Sequence, residues 1–190
     1  MYTLGQVRFE GFPNKFYVGD KIAFSLSDGE EVEAIAVRNT PNGTLFIHKD
    51  CLREAKPMYE RDDNRGGYEN SLVRRFLLDE VLSRYPEEIR SRMFPLENGD
   101  LLRIPSEREI FGNNPYGEEE PETVERFAPM VERRNRIAFA GKEGDWQYYW
   151  LMNRHRVSAS YFAFVGGSGY AYHYGASFAF GVRPAFGLRA

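Results

Sequence analysis

Apolar and polar residues alternate through much of the first third of the chain. A period of two runs through residues 21–28 (KIAFSLSD), 31–39 (EVEAIAVRN) and 43–52 (GTLFIHKDCL), and β-branched or aromatic side chains fill many of the apolar positions. The intervening SDGE and NTPNGT segments contain Asp-Gly and Asn-Gly pairs, which are typical of tight hairpin turns. The pattern predicts a meander of short strands over residues 1–56.

A helical period replaces this alternation after a polar, glycine-bearing segment at residues 59–69, which we interpret as a loop. In residues 70–85 the apolar side chains recur on one helical face, and Asn70 or Ser71 can cap the free amides of the first turn. The residues of this face are Leu72, Val73, Phe76, Leu77 and Val81.

Two further helical signals follow. Residues 86–93 predict a second short helix, with Pro86 at its first position and acidic residues in the first turn, where the helix dipole favours them. Ser106 and Glu109 have the spacing of a capping box, which predicts a short helical turn beginning there.

Strand patterns return from Ile137 to the end of the chain, in RIAFA, WQYYWLMN, YFAFV, YAYHY and FAFGVRPAF. The acid-rich segment 113–126 before them predicts an insertion or a flexible loop. Clustered carboxylates could hold a cation such as calcium, but the alternating ligand spacing of a calcium loop is missing. We therefore predict a solvated loop here, inside one domain that covers residues 1–190.

Charge is distributed unevenly along the chain. All 28 Asp and Glu lie at or before Asp145, so residues 1–145 carry a net charge of −7 and residues 146–190 carry +4. Four dispersed arginines do not form the dense basic stripe of a nucleic-acid-binding surface, and we expect no nucleic-acid partner. The chain has no apolar run of the roughly 18 residues that a membrane span needs and no signal-peptide pattern, which predicts a soluble protein without membrane insertion.

Residues with catalytic or metal-binding chemistry are few. Cys51 is the single cysteine, which excludes an internal disulfide, and none of His48, His155 and His173 has a partner at ligand spacing. The HKDC segment places His48 and Asp50 beside Cys51, but side chains alternate along a strand, so His48 and Cys51 are not expected to meet. We predict a buried Cys51, no enzyme activity, no cofactor and no metal site.

The C-terminal quarter is unusually aromatic, with 13 aromatic side chains in residues 146–190. In the extended YAYHY segment, Tyr170, Tyr172 and Tyr174 share one face and His173 lies on the other. Tyrosine among serine, glycine and alanine is the composition of antibody paratopes, where the rings supply rigid contact area. The alternative is that a curled sheet packs these aromatic residues into its own core.

The range of residue types also becomes narrower after residue 152. Residues 153–190 contain no Lys, Glu, Gln, Met or Trp, although these five types supply 34 of residues 1–152. At that frequency about eight would be expected in the last 38 residues, and sheet preference explains only part of their absence.

Four motifs complete the picture in a fixed order: YENSLVRRFL at 68–77, LLRIPSEREIFG at 101–112, YYWLMNRH at 148–155 and GVRPAF at 181–186. Over residues 30–190 the ordered set resembles the C-type-lectin-fold variable proteins of diversity-generating retroelements, which are distant relatives of the formylglycine-generating enzymes. In that family, asparagine codons of the form AAY become NNY, and NNY codons cannot specify Lys, Glu, Gln, Met or Trp. The filter after residue 152 is the one this mechanism leaves.

The resemblance implies an α+β, C-type-lectin-type fold of short strands and two helices, with a C-terminal aromatic strand and loop region as the binding face. Residues 1–152 would be scaffold, 153–180 the variable ligand-binding region and 181–190 the closing scaffold strand. The implied displayed positions are Asn153, His155, Val157, Ser158, Ala159, Tyr161, Phe164, Tyr170, Tyr172, Tyr174 and Ser177. The implied invariant scaffold positions are Trp150, Leu151, Val165, Gly169, Gly181, Val182, Arg183 and Pro184.

The expected function is recognition of a protein or glycan ligand on another cell or host surface, by a soluble protein carried on a virion or displayed through another protein. Calcium-dependent sugar binding is not expected, because residues 146–190 have no carboxylate. Two alternatives stay open: a phage or cell-surface structural protein of the same fold that is not diversified, whose aromatic strands make fixed oligomer contacts, and an enzyme with an acidic site in residues 1–145.

Overall fold

The alternating segments near the start of the chain form an antiparallel sheet. In the computed structural model, which describes residues 2–3 and 15–189, this sheet has six strands in the order β1-β2-β3-β4-β13-β6. Only β1 and β2 run parallel. The strands are β1 (Tyr2–Thr3), β2 (Lys21–Ser25), β3 (Glu31–Thr40), β4 (Gly43–His48), β6 (Met93–Phe94) and β13 (Ala185–Leu188).

The predicted meander is confirmed for β2, β3 and β4, which pair in chain order. The part of that prediction on residues 1 and 4–14, and Ala190 at the end of the predicted closing strand, lie outside the described residues. β13 lies between β4 and β6, and Phe186 pairs with Phe46, whose ring it stacks on with centroids 5.7 Å apart. The C-terminal strand is therefore an interior strand of the first sheet.

The predicted helix at 70–85 is helical but not uniform. It begins as α1 (Leu72–Arg75), continues as a π-helical turn (Phe76–Val81) and ends in a 3-10 turn (Leu82–Arg84). Ser71 caps it, because its hydroxyl accepts a hydrogen bond from the Arg74 amide at 3.0 Å. The wider π turn brings residues five apart onto one face, so that Phe76 and Val81 are both buried.

Two short helices follow where the capping signals predict them. α2 (Glu87–Arg90) begins directly after Pro86, which lies at the N-cap and not at the predicted first position. α3 (Glu107–Phe111) begins with the predicted capping box between Ser106 and Glu109. A 3-10 turn (Tyr68–Asn70) precedes α1, and two more (Ala128–Val131 and Arg133–Arg136) follow α3.

The C-terminal strands form a second, three-stranded antiparallel sheet in the order β11-β10-β9. Two small ribbons flank it, β5 with β12 and β7 with β8, and the predicted RIAFA strand shortens to β7. The bounds are β5 (Lys56–Pro57), β7 (Ala138–Phe139), β8 (Trp146–Gln147), β9 (Tyr149–Arg154), β10 (Tyr161–Val165), β11 (Ala171–Gly175) and β12 (Ala179–Phe180).

Apolar residues cover both faces of β9 and β10. Trp150 and Phe162 belong to a core cluster that reaches the first sheet and α1, whereas Leu151 and Val165 belong to a second cluster around α3. Strands that are buried on both faces lose the alternation of polar residues, which explains the continuous apolar run YFAFV. Strands outnumber helices, and this mixed structure is consistent with the predicted α+β class.

A buried ion pair joins α3 to the first sheet. The guanidinium of Arg103 binds both carboxylate oxygens of Glu109, at 2.6 and 2.7 Å, and Arg38 on β3 binds the same carboxylate at 2.8 Å. Glu109 also accepts the amide of Ser106 in the capping box at 2.9 Å. One carboxylate thus fixes the start of α3 and its position against β3. Within the ranges 2–3 and 15–189, no helix combines the length and apolar composition needed to cross a membrane.

Replacing Glu109 by Gln is expected to lower the free energy of unfolding by about 3 kcal/mol, because buried Arg103 then keeps only the exposed Glu97 carboxylate, 3.4 Å away, as a counter-charge. Urea denaturation measures the change. Glu87→Gln removes an exposed partner of Arg90 and is the control, with an expected change below about 0.5 kcal/mol. Equal effects of the two substitutions would contradict the role assigned to the Glu109 carboxylate.

Candidate functional site

Strand register divides the side chains of the second sheet into two faces. Phe162 pairs with Tyr174, and Phe164 pairs with Tyr172, so these four rings lie on one face. Ala163 pairs with His173 between these two pairs, and successive side chains of a strand alternate, so His173 lies on the opposite face. The predicted separation of Tyr172 and Tyr174 from His173 is therefore confirmed, and β11 presents a different surface on each side.

An open groove with a volume of about 700 Å³ lies along the first of these faces. We call it the aromatic groove. It is lined by Trp146, Tyr148, Phe164, Gly166, Gly167, Ser168, Tyr172, Tyr174, Phe178 and Phe180.

The rings of the aromatic groove contact one another in a continuous row. Centroid distances are 5.1 Å from Trp146 to Tyr148, 5.4 Å from Tyr148 to Phe180 and 6.0 Å from Phe180 to Tyr174. Phe178 packs edge-on against Tyr174 at 4.4 Å. These separations are those of favourable aromatic pairs, so each ring is held by its neighbours before any ligand arrives.

Glycine at the hairpin between β10 and β11 lets two of these rings lie against the backbone. A Cβ atom on Gly166 would come within 2.7 Å of the Tyr172 ring, and one on Gly167 within 2.4 Å of the Trp146 ring. Any larger residue at either position would displace a wall of the groove. The GGSG segment is therefore the turn that the sequence predicts, and it also shapes the groove.

A second cluster of rings occupies the opposite face of the sheet. We call Tyr116, His155, Tyr161 and His173 the histidine cluster. The His155 ring lies 4.5 Å from the His173 ring, and the rings of Tyr116 and Tyr161 lie 4.7 and 5.5 Å from His173, between centroids. Two of its members, His155 and Tyr161, flank the loop between β9 and β10.

His155 holds that loop through its side chain. Its Nδ1 accepts hydrogen bonds from the amides of Val157 and Ser158, at 3.2 and 2.9 Å, so the neutral ring carries its proton on Nε2. Burial, followed by the nearby positive charges of His173 and Arg156, lowers the pKa of His155 below the ordinary histidine range. The turn therefore depends on a neutral His155.

Two side chains of the polar segment 59–69 form hydrogen bonds to the two regions that contain predicted displayed residues, namely the loop between β9 and β10 and the turn after β11. Asn64 is buried, and its side-chain amide donates to the carbonyls of Ser158 and Tyr161 at 2.6 and 2.7 Å. Asp62 accepts the amide and the hydroxyl of Ser177 at 2.9 and 2.7 Å. The sequence predicts only a loop here. These two residues were missed because their partners are about a hundred positions away along the chain.

Asn153 is not a displayed residue, contrary to the prediction. Only 9% of its surface is exposed, and its side chain binds three groups: Oδ1 accepts the Glu107 amide at 2.7 Å, while Nδ2 donates to the Glu118 carbonyl at 3.3 Å and the Glu120 carboxylate at 2.9 Å. Gly117 lies so close that a Cβ atom on it would be 2.4 Å from the Asn153 Cβ. The hydrogen bonds of Asn153 therefore connect β9 to α3 and to the acidic segment 113–126.

The acidic segment 113–126 is a loop with many exposed residues, as predicted, but Glu118 and Glu120 in its centre bind α3 and β9. Glu118 forms a two-pronged ion pair with Arg154, at 2.6 and 3.0 Å. Glu120 accepts the Arg108 amide and the Asn114 side chain, at 2.9 and 2.7 Å. The carboxylates of Glu118 and Glu120 are therefore bound by protein donors.

The remaining predicted display positions fall into three groups. Val157, Ala159, Tyr161, Tyr170, Tyr172 and Tyr174 are exposed, and His155, Ser158 and Ser177 are half-buried. Phe164 is only 7% exposed, so it is not displayed on the outer surface, but it lines the floor of the aromatic groove. Tyr170 lies outside the groove, with its ring 5.2 Å from the guanidinium of Arg133. All eight predicted scaffold residues are buried.

Sequence reasoning missed Trp146, Tyr148, Phe178 and Phe180 as site residues. They belong to the same aromatic-rich quarter, but the choice of 153–180 as the displayed region excluded the first two. The alternation of Phe178 and Phe180 with small residues in ASFAF was a usable signal, because it places both rings on one side of an extended segment.

His48 and Cys51 of the HKDC segment are both buried. His48 is buried, its Nε2 lies 2.5 Å from the Tyr85 hydroxyl, and burial lowers its pKa to about 3. Cys51 is buried, as predicted, and burial raises the pKa of its thiol to about 12. Within residues 2–3 and 15–189, no three His, Cys, Asp or Glu side chains come together as metal ligands.

Comparison with known proteins gives no relative: no protein-family model, curated protein or solved structure matches this chain. The candidate site is therefore judged on its own geometry, namely an aromatic groove on one face of β11 and the histidine cluster on the other.

We expect the turn at Val157 and Ser158 to open on acidification. Above about pH 6.5 the neutral His155 contributes its full stabilisation, and this is lost as pH falls through the lowered folded-state pKa, because protonation of Nδ1 removes the acceptor of both amides. Backbone amide shifts of Val157 and Ser158, followed by NMR from about pH 7.5 to about pH 4.5, measure the change.

The matched control is His155→Asn, which keeps a side-chain acceptor for the turn and cannot be protonated in this range. Its two amide shifts should stay nearly constant. If the variant and the wild type show the same pH dependence, the titrating group is not His155.

Proposed function

We propose that this protein is a ligand-binding display protein with a C-type-lectin-type fold, whose C-terminal surface is diversified by a retroelement to recognise varied protein or glycan targets. In this proposal residues 1–152 are scaffold, 153–180 contain the variable positions and 181–190 close the scaffold. Carriage on a virion or through another protein would bring the surface to its target.

The observation that carries the proposal is the aromatic groove. Trp146, Tyr172, Tyr174 and Phe178 keep large exposed fractions, although Phe162 and Phe164 on the same face of the sheet are buried. A contiguous exposed apolar patch marks an interaction site in a soluble protein. Rigid aromatic rings beside glycine and serine give contact area at low entropic cost, as in paratopes.

Two further features support diversification of this surface. The five residue types that NNY codons cannot specify are absent from residues 153–190. The positions that the resemblance leaves fixed are buried, whereas most of those that it leaves variable are exposed. A surface that tolerates many sequences needs this separation, because changes at exposed positions cost little stability.

A non-diversified structural protein of the same fold is the second candidate. The exposed rings of Trp146 and Phe178 would then make a fixed contact between copies. Solution mass distinguishes this function, since Trp146→Ala or Phe178→Ala would dissociate an oligomer that such a contact holds together.

Tyr174→Ala is expected to change the melting temperature by less than about 3 °C, since its ring is largely on the surface. Its cross-strand neighbour Phe162 is fully buried on the same face and is the matched comparison. Phe162→Ala should lower the melting temperature by about 10 °C. Thermal denaturation measures both, and equal losses would mean that Tyr174 is core and not a binding residue.

Diversification is tested by sequencing this gene and its flanks across the source population. We expect substitutions to concentrate in codons 153–180, at AAY-derived positions, with a near-identical template repeat and a reverse-transcriptase gene nearby. Substitution density in codons 70–110 is the internal control. Equal density in both regions would refute the retroelement part of the proposal.

A further inference from the structure

The two edges of the second sheet, β9 and β11, have different surroundings. Along β9, the Trp150 amide donates to the Gly181 carbonyl at 3.2 Å, and the Met152 amide donates to the Pro105 carbonyl at 3.1 Å. In the part of the chain that the structure describes, no segment pairs with the outer side of β11. The second sheet therefore ends at β11 in an open edge.

The backbone of β11 directs alternate residues toward β10 and away from it. The Gly166 amide donates to the Tyr170 carbonyl at 2.9 Å, so in this hairpin register the even-numbered residues of β11 are those bonded to β10. The amides and carbonyls of Ala171 and His173 point outward, and among the described residues no group bonds to them. A row of unpaired backbone groups on a strand selects another extended strand as its partner.

The extent of the open edge fixes the register of such a strand. The carbonyl of Gly175 already accepts the Phe178 amide at 3.2 Å, so pairing ends before Gly175. Two copies of β11 satisfy the outward groups when they pair antiparallel about a two-fold axis at Tyr172, because Ala171 then lies opposite His173 of the second copy. This register forms about four hydrogen bonds between the copies.

The side chains of β11 are complementary to those of a second copy in this register. Tyr172 lies opposite its own equivalent, and Tyr170 lies opposite Tyr174 of the second copy, so three exposed rings gain an aromatic cross-strand neighbour. On the other face, the small Ala171 leaves room for the larger His173. β11 also has no lysine, proline or acidic residue, which are the residues that protect open edges from pairing. These features favour a second copy over a strand of unrelated sequence.

Charged residues beside the two ends of β11 have opposite signs. Arg133 donates to the Ser168 carbonyl at 2.7 Å before the strand, and Asp62 accepts the Ser177 amide at 2.9 Å after it. Antiparallel pairing brings the start of one strand to the end of the other, so Arg133 of each copy approaches Asp62 of the other. We propose that β11 is a self-association edge, through which two copies of this protein join their three-stranded sheets into one antiparallel, two-fold symmetric sheet.

This dimer goes beyond the proposed display function and does not depend on it. The pairing uses backbone groups, which stay the same whichever side chains occupy positions 170–174. Because the two-fold axis is perpendicular to the joined sheet, the aromatic grooves of both copies lie on the same side of it. A target with two epitopes would then be bound by both grooves at once, which increases the overall affinity without any new contact.

Amide hydrogen exchange, resolved by residue, tests the edge without any substitution. The amides of Tyr172 and Tyr174 are bonded to β10 and should be protected at every concentration. We expect protection of the Ala171 and His173 amides to rise between about 10 µM and about 1 mM protein, with a dissociation constant on the order of 100 µM. The mass from sedimentation should rise in step to twice that of the chain. A protein that stays monomeric over this range, or a dimer that leaves both amides unprotected, overturns the proposal.

Substitutions at the edge give an independent test. Ala171→Pro removes an outward donor at the first residue of the strand, where proline is tolerated, and should weaken the dimer by at least about tenfold. Ala171→Ser keeps the N–H and a small side chain, and should change the dissociation constant less than about twofold. Protection of the Tyr174 amide reports that the second sheet of Ala171→Pro is intact.

The charge pairing decides the case if Ala171→Pro loses the second sheet. Arg133→Glu places two like-charge contacts in each dimer and should weaken it by about fivefold. Arg134→Glu makes the same change of charge at the neighbouring exposed arginine and is the control, with an expected change below about twofold. Equal effects of the two substitutions would contradict the proposed register.

Trp146→Ala separates this dimer from one that is formed through the aromatic groove. Trp146 belongs to β8 and not to the open edge, so its replacement should leave the mass of the dimer unchanged. An oligomer that dissociates in Trp146→Ala and persists in Ala171→Pro is held by the groove, and this result overturns the proposal. The display function is judged separately, by the thermal effect of Tyr174→Ala and by substitution density in the population.

Discussion

The buried guanidinium of Arg183 is the contact on which the arrangement of the two sheets depends. Its Nε donates to the His48 carbonyl at 2.8 Å, Nη1 to the Tyr149 hydroxyl at 2.9 Å and Nη2 to the Asn135 carbonyl at 3.1 Å. These partners lie at the end of β4, the start of β9 and the turn at 133–136. A guanidinium stays charged when buried, so each of these oxygens must remain in place. Burial and the charge of Arg183 also keep His48 neutral beside it.

With the sheets fixed in this way, the strands of the second sheet differ in how deeply they are buried. β9 and β10 are buried on both faces, but β11 is an edge strand whose Tyr172 and Tyr174 have protein below them and solvent above. The rigid part of the sheet thus supports the exposed part. This arrangement suits recognition, because binding residues on a packed strand keep their geometry when neighbouring surface positions change.

Sequence patterns predicted those features of the site that depend on residues close together in the sequence. Alternation placed Tyr172 and Tyr174 opposite His173, and the capping box at Ser106 was found from two residues. Asn153 was misassigned because nothing near it in the sequence shows that the Glu107 amide and the Glu120 carboxylate converge on its side chain. The docking of Glu118 and Glu120 was missed for the same reason, because their partners come from α3 and β9.

The sequence by itself determined the main strands and helices, that the last quarter is neutral or basic and aromatic, and that 153–190 draws on a restricted set of residues. Only the tertiary structure decided which aromatic rings are core and which line a groove. Phe162 and Tyr174 share one face and are cross-strand neighbours, yet one is buried and the other exposed. The physical reason is that periodicity fixes the face on which a side chain lies, whereas burial depends on what the remote parts of the chain place over that face.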